Sequence, residues 1–239
     1  YQSQRLFALY PYIEEKDRQK LLEIMWEIQR RLLDCFKTSQ SIIEEVESNK
    51  KILKDKARID PSFHPWIMDL DTRLESFLQS AKLSLRDIGD ILRGFFNQSF
   101  GHKYHKAIEW SKKQFGDDDP LTKTLNIHSR WIEDVIDMRN AVEHPTDGPR
   151  GRLHIENFRM IRSDSKVELS EPLWWLTGEQ PRIVSVYLPA IVDCLLRLSE
   201  ELYVTSLIKQ ETPASVKIEE IPEKNRDKSA PVRFRAVSI

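Results

Sequence analysis

The stretch from Ile67 to Phe95 constrains the fold more than any other part of the chain. Ile67, Leu70, Leu74, Phe77, Ala81, Leu85, Ile88, Leu92 and Phe95 follow one another at steps of three and four. An α-helix turns once in about 3.6 residues, so these side chains stack along a single face. The repeat lasts about four heptads, which suits a coiled coil or a helix in a bundle. Gly89 and Gly94 each lower its intrinsic propensity by about 1 kcal/mol, so packing must hold it. A helix of this kind needs helical neighbours, and composition supplies them. Only seven of 239 residues are glycine, 40% are hydrophobic and 31% are charged. That balance favours helix over strand and suffices for one large domain or two small ones with a sizeable core.

The rest of the chain yields three more helices of similar length. Tyr12 to about Lys51 carries Leu21, Ile24, Ile28, Leu32, Cys35, Ile42 and Val46 on its apolar side, with Thr38 to Ser41 as a weak point. Asp60-Pro61 makes a turn, after which Pro61 to Trp66 opens the second helix described above. Asn97 to Asp118 is polar, with a short helix over Tyr104 to Gln114. Asp119 is an N-cap and Pro120 takes the first helical position of the third long helix, where its missing N–H costs nothing. A fourth helix covers Arg182 to Gln210, kinked at Pro189 or starting there. Between the last two, Leu153, Ile155, Phe158 and Met160, then Val167 and Leu169 across Ser163-Asp164-Ser165, read as a β-hairpin with a bulge after Ile155. Pro172, Gly178 and Pro181 punctuate a loop carrying Trp174 and Trp175. Val216 to Ile218 and Val232 to Phe234 alternate like strands and are expected to complete a small sheet with the hairpin, with a loose tail as the alternative. The expected architecture is mainly α: an up-and-down bundle of four long helices over 1–210, a hairpin insertion at about 152–170, and a C-terminal extension over 211–239.

Lys plus Arg number 37 against 38 for Asp plus Glu, so a nucleic-acid surface would have to be a local patch. Cys35 and Cys194 fall among apolar helical residues and read as buried free thiols in a reducing compartment. The most apolar run, Ile183 to Leu198, is broken by Pro189, Asp193 and Arg197 and is too short and too charged to span a bilayer. No signal peptide is evident, and a start at Tyr1 rather than Met points to a short missing piece. A cytoplasmic protein without a membrane contact is expected.

The chemistry concentrates at the end of the third long helix. Leu121, Leu125, His128, Ile132, Val135, Arg139 and Val142 form its apolar stripe, with a guanidinium in the place of a hydrophobic side chain. A charge there must reach a cleft, a carboxylate or a partner, because an unpaired buried charge is costly. Pro145 stops the helix at His144, and Asp147-Gly148-Pro149 turns the chain. Arg139 and His144 are five residues apart, about 140° around an ideal helix, so they meet only if the last turn unwinds or if two copies pair across a two-fold axis. A bland alternative is a helix cap, since Arg and His in a last turn complement the dipole in any protein.

The segment Arg139-Asn140-Ala141-Val142-Glu143-His144 at a helix end resembles the Arg-x(4–6)-His signature of the HEPN superfamily, in which Asn often follows the Arg. The resemblance in residues covers this helix end alone. It implies a homodimer with both motifs in one cleft and metal-independent endoribonuclease chemistry, in which a ribose 2′-OH attacks its own phosphate and leaves a cyclic phosphate. No cofactor is expected. Under it His144 is the general base or acid, and the helix's negative end, with Glu143 nearby, favours the imidazolium. Arg139 holds the phosphate, and Asn140 orients the phosphate or the histidine. It further suggests a toxin or phage-defence role, with an antitoxin or regulatory protein as partner. The contrasting reading is a non-catalytic HEPN-like module that binds RNA or a protein, in which Arg139 pairs with a carboxylate of its own chain and His144 is dispensable.

Other residues weigh less. His102, Lys103 and His105, with Lys106, form a small basic loop that reads as solvated, with a contact to substrate phosphate as the alternative. The two histidines lack a third metal ligand at a fixed spacing. His128 reads as a hydrogen-bonded core histidine. Trp174 and Trp175 read as hairpin anchors, with base stacking as the alternative. Glu133 and Asp134 read as solvated.

Overall fold

A computed structural model of the chain describes residues 13–56, 64–145, 151–163, 166–210, 216–226 and 233–238. Its described residues are mainly helical, with small antiparallel sheets. The helices are α1 (Glu15–Lys56), α2 (Leu70–Phe96), α3 (Tyr104–Phe115), α4 (Pro120–Glu143) and α5 (Val184–Leu207). Strands β1 (Leu153–Glu156), β2 (Arg159–Ser163), β3 (Lys166–Ser170), β4 (Leu173–Leu176) and β5 (Arg182–Ile183) lie between α4 and α5, and β6 (Val216–Glu220) and β7 (Phe234–Ser238) follow α5. No helix among these residues is long and apolar enough to cross a membrane. The turns expected at Asp60-Pro61, at Asp147-Gly148-Pro149 and at Asp164 lie outside the described residues, as does Val232.

Several boundaries differ from the sequence reading, each for a local reason. The first helix runs unbroken through its weak segment, where the Thr38 hydroxyl donates to the Asp34 carbonyl at 3.0 Å. Helix α2 begins at Leu70, not in the Pro61–Trp66 segment. Ile67 is nevertheless buried, because Asn157 clamps it: the Ile67 N–H donates to Asn157 Oδ1 at 3.1 Å, and Asn157 Nδ2 donates to the Ile67 carbonyl at 2.8 Å. The hairpin is nested. Strands β2 and β3 pair across residues 164–165, and β1 pairs with β4, setting Ile155 opposite Trp174 and His154 opposite Trp175. The expected bulge is therefore an interruption at Asn157-Phe158, and the tryptophans sit on a strand rather than a loop. Strands β6 and β7 pair with each other in a sheet of their own and do not join the 153–169 strands. Pro189 stays inside α5.

The chain divides into two compact units. The first comprises Tyr1–Ile28, Arg86–Ile127 and Leu198–Ile239. Its core holds Leu21, Ile88, Leu92, Leu121, Leu202 and Leu207, flanked by the ring pairs Phe95–Tyr203 and Phe96–Trp110. The two helix glycines are explained here by close approach. A Cβ on Gly89 would lie 2.5 Å from the Gly101 carbonyl oxygen, and one on Gly94 would run into Leu21. Asp119 caps α4 as expected, accepting the Leu121 N–H at 2.9 Å on one carboxylate oxygen and pairing with Lys209 through the other. Asp119→Ala should cost about 1–2 kcal/mol, read as a lower midpoint in urea, because it removes a cap and leaves the half-buried Lys209 ammonium without its carboxylate.

The second unit comprises Gln29–Leu85 and His128–Arg197. Its core is built from Phe77, Ala81, Leu85, Ile132, Trp174 and Leu188, all closed to solvent. His128 is 3% exposed, and its Nδ1 accepts from Trp131 Nε1 at 2.9 Å, the core histidine the sequence suggests. Cys35 is fully buried, and burial pushes its thiol up to about 12 even though Ser84 lies within hydrogen-bond reach. Ellman's reagent at pH 8 should therefore label Cys35 only on unfolding, and the half-buried Cys194 faster than Cys35.

Candidate functional site

The end of α4 is organised by how its buried stripe turns. Leu121, Leu125, His128, Ile132 and Val135 are buried as expected, but Met138 and Ala141 take the inner places in the last two turns and Val142 is only half-buried. Arg139 is thereby moved from the centre of the stripe to its flank, beside Gln79 and Lys82 of α2. Those two residues in turn flank the buried Phe77, Leu78 and Ala81, so the packing that seats α2 also fixes the polar groups opposite Arg139.

The Arg139 side chain is 14% exposed. Its Nε donates to Gln79 Oε1 at 2.6 Å, and Nη2 pairs with Glu143 Oε1 at 2.8 Å. Nη1 is buried with no hydrogen-bond partner among the described residues. The second Glu143 oxygen, Oε2, accepts from Lys82 Nζ at 3.1 Å, and the same ammonium donates to Asn140 Oδ1 at 3.0 Å. One carboxylate thus bridges two cations with one oxygen each. Partial burial pushes the Glu143 carboxyl up, but the Lys82 hydrogen bond and charge, together with Arg139 and His144, outweigh it and hold the carboxyl below the usual carboxylate range. The carboxylate is ionised at neutral pH.

His144 is the first residue past the helix, and its N–H still closes the last turn on the Asn140 carbonyl at 2.8 Å. Its side chain is exposed, and no hydrogen bond or ion pair links it to Arg139 among the described residues. The structure therefore brings Arg139 and Asn140 into one polar cluster and leaves the imidazole at the rim. His102, Lys103 and His105 belong to the other compact unit. His102 lies in a turn, while His105 and Lys106 are exposed in the first turn of α3 rather than in a loop.

No family model, curated protein or solved structure matches the chain. The cluster's chemistry is accordingly read from its own residues. Two cations against one carboxylate leave an excess positive charge, and the unpartnered Nη1 is a donor that a further oxygen would satisfy. Such a site suits an oxyanion, with a titratable imidazole within the next residues of the chain. Lys82 and Gln79 are the members that sequence reasoning did not assign to the site, and Glu143, expected beside the imidazole, pairs with Arg139 and Lys82.

The remaining candidates are accounted for in packing. Trp174 is fully buried against Phe77 and Tyr187 and is closed to a base, while Trp175 stacks on His154 with ring centroids 5.3 Å apart. Asp134 is not merely solvated, since Arg182 approaches it at 3.7 Å and pairs with Glu179 at 2.7 Å. These residues, with Arg130, Glu133, Gln180 and Pro181, line a polar groove of about 560 Å³ to which Arg139, Asn140 and His144 do not contribute.

Proposed function

We propose that the chain is a HEPN-like four-helix bundle that cleaves RNA without a metal ion, acting as a homodimer with Arg139, Asn140 and His144 at the reacting phosphate. The observation that carries this reading is the Arg139 guanidinium, largely buried, always charged, and provided with one nitrogen that has no acceptor among the described residues. Lys82 adds a second positive charge next to it, and Asn140 is tied to Lys82. In this reading the 2′-oxygen loses its proton and bonds to the adjacent phosphorus, the bond to the 5′-oxygen breaks, and that oxygen takes a proton. His144 accepts the first proton or supplies the second. Arg139 and Lys82 stabilise the charge gathered on the phosphoryl oxygens. The 2′-OH requirement makes RNA, not DNA, the substrate.

A second reading draws on the Arg139–Glu143 pair. A carboxylate of the same chain satisfies part of the guanidinium, as expected of a HEPN-like module that binds RNA or a protein without cleaving. One experiment separates the two. Purified protein and His144→Ala are incubated with end-labelled RNA in EDTA. Cleavage by the wild type alone, with cyclic phosphate ends, supports the enzyme. Intact RNA with both folded proteins supports the module.

A further inference from the structure

Glu143 occupies the site in a way that its position does not favour. It is the last residue of α4, where the helix presents its unpaired carbonyls and the negative end of its dipole, so an anion there is repelled by its own helix. It also follows Arg139 by four residues, the less favourable order for an i,i+4 ion pair. Its side chain is 36% exposed, whereas those of Arg139 and Lys82 are 14% and 21% exposed. The cations are therefore fixed in the protein wall, and the carboxylate reaches them from the solvent side. Its two oxygens engage Nη2 of Arg139 and Nζ of Lys82 separately, the same division of contacts that two non-bridging phosphate oxygens make with a pair of cations. Among the described residues the buried Nη1 has no acceptor with Glu143 in place, so the carboxylate leaves one guanidinium nitrogen unused.

We infer that Glu143 is an internal stand-in for phosphate, a carboxylate plug that closes the Arg139–Lys82 site and that a backbone phosphodiester displaces by taking both cations. The inference rests on the site proposed above but not on catalysis there. It makes access to the Arg139–Lys82 site a competition between two anions. Displacement swings an exposed side chain on a terminal helical residue and leaves the fold otherwise undisturbed.

The test measures binding without cleavage. A fluorescent oligonucleotide with 2′-O-methyl groups lacks the nucleophile, and its dissociation constant is read by anisotropy for the wild type, Glu143→Gln and Glu44→Gln. Glu44 is an exposed carboxylate of α1, and its replacement makes the same change in net charge. Glu143→Gln should tighten binding about tenfold, the scale of one charge-assisted hydrogen bond. Glu44→Gln should change it less than twofold. Adding Lys82→Gln to Glu143→Gln should abolish the gain. An equal gain in both single variants, a weaker or unchanged Glu143→Gln, a gain that survives loss of Lys82, or no binding by any folded variant overturns the plug. Thermal melting of each variant confirms that it is folded. A gain confined to Glu143→Gln with no cleavage of ordinary RNA would keep the plug and discard the nuclease.

Discussion

His144→Ala is expected to lower RNA cleavage by about 10²–10⁴-fold, the usual contribution of a positioned acid or base, while shifting stability by less than about 0.5 kcal/mol, as for a surface substitution. The two halves of this expectation come from the same geometry. The imidazole is exposed, and what holds residue 144 in place is its backbone N–H on the Asn140 carbonyl, which alanine keeps. A large loss of rate with an unchanged melting curve would therefore report chemistry alone. The expectation includes a dimer, because among the described residues no hydrogen bond or ion pair links the imidazole to Arg139 of its own chain. Mixing the inactive His144→Ala with an Arg139-substituted protein reads that directly. Recovered cleavage means that one copy supplies the imidazole and the other the guanidinium. Retained cleavage by His144→Ala alone would assign the proton transfers elsewhere and leave the site as an anion-binding module.

What could be read in the sequence, and what could not, divides by the range of the interactions involved. The start of α4 was legible because Asp119 and Pro120 act on the residues next to them, and its end was legible because Pro145 acts on His144. The α2 stripe was legible because period alone fixes which side chains are buried. Even the oddity of Arg139 was visible as a charge on an apolar face. Its resolution was not, since Gln79 and Lys82 lie about sixty residues earlier and only the docking of α2 on α4 brings them near. The small shift that put Met138 and Ala141 inside also escapes a pattern of three and four, because the stripe can pass to either neighbour of an ideal position. Strand β4 was hidden by its punctuation. Pro172 and Gly178 mark the ends of a strand as readily as a loop, and its partner β1 is some twenty residues away.

That strand sets the second large effect. Trp174→Ala should destabilise the protein by about 3–5 kcal/mol, the range for deleting a buried aromatic side chain. Trp174 is wholly closed to solvent and lies between the Phe77 ring at 6.5 Å and the Tyr187 ring at 6.0 Å, joining β4 to α2 and to α5. Its indole N–H has no acceptor among the described residues, so Trp174→Phe should cost much less than Trp174→Ala. Urea unfolding at constant slope measures both. The consequence reaches the site, because Phe77 precedes Gln79 by two residues on α2. Loosening Phe77 moves the amide that Arg139 Nε donates to and the ammonium that shares Glu143. Trp174→Ala should then weaken RNA binding more than its surviving folded fraction explains, whereas Trp174→Phe should leave binding intact. Equal binding per folded molecule in the two variants would show instead that α2 is held at Gln79 and Lys82 by its own packing on α4, independently of the strand beneath it.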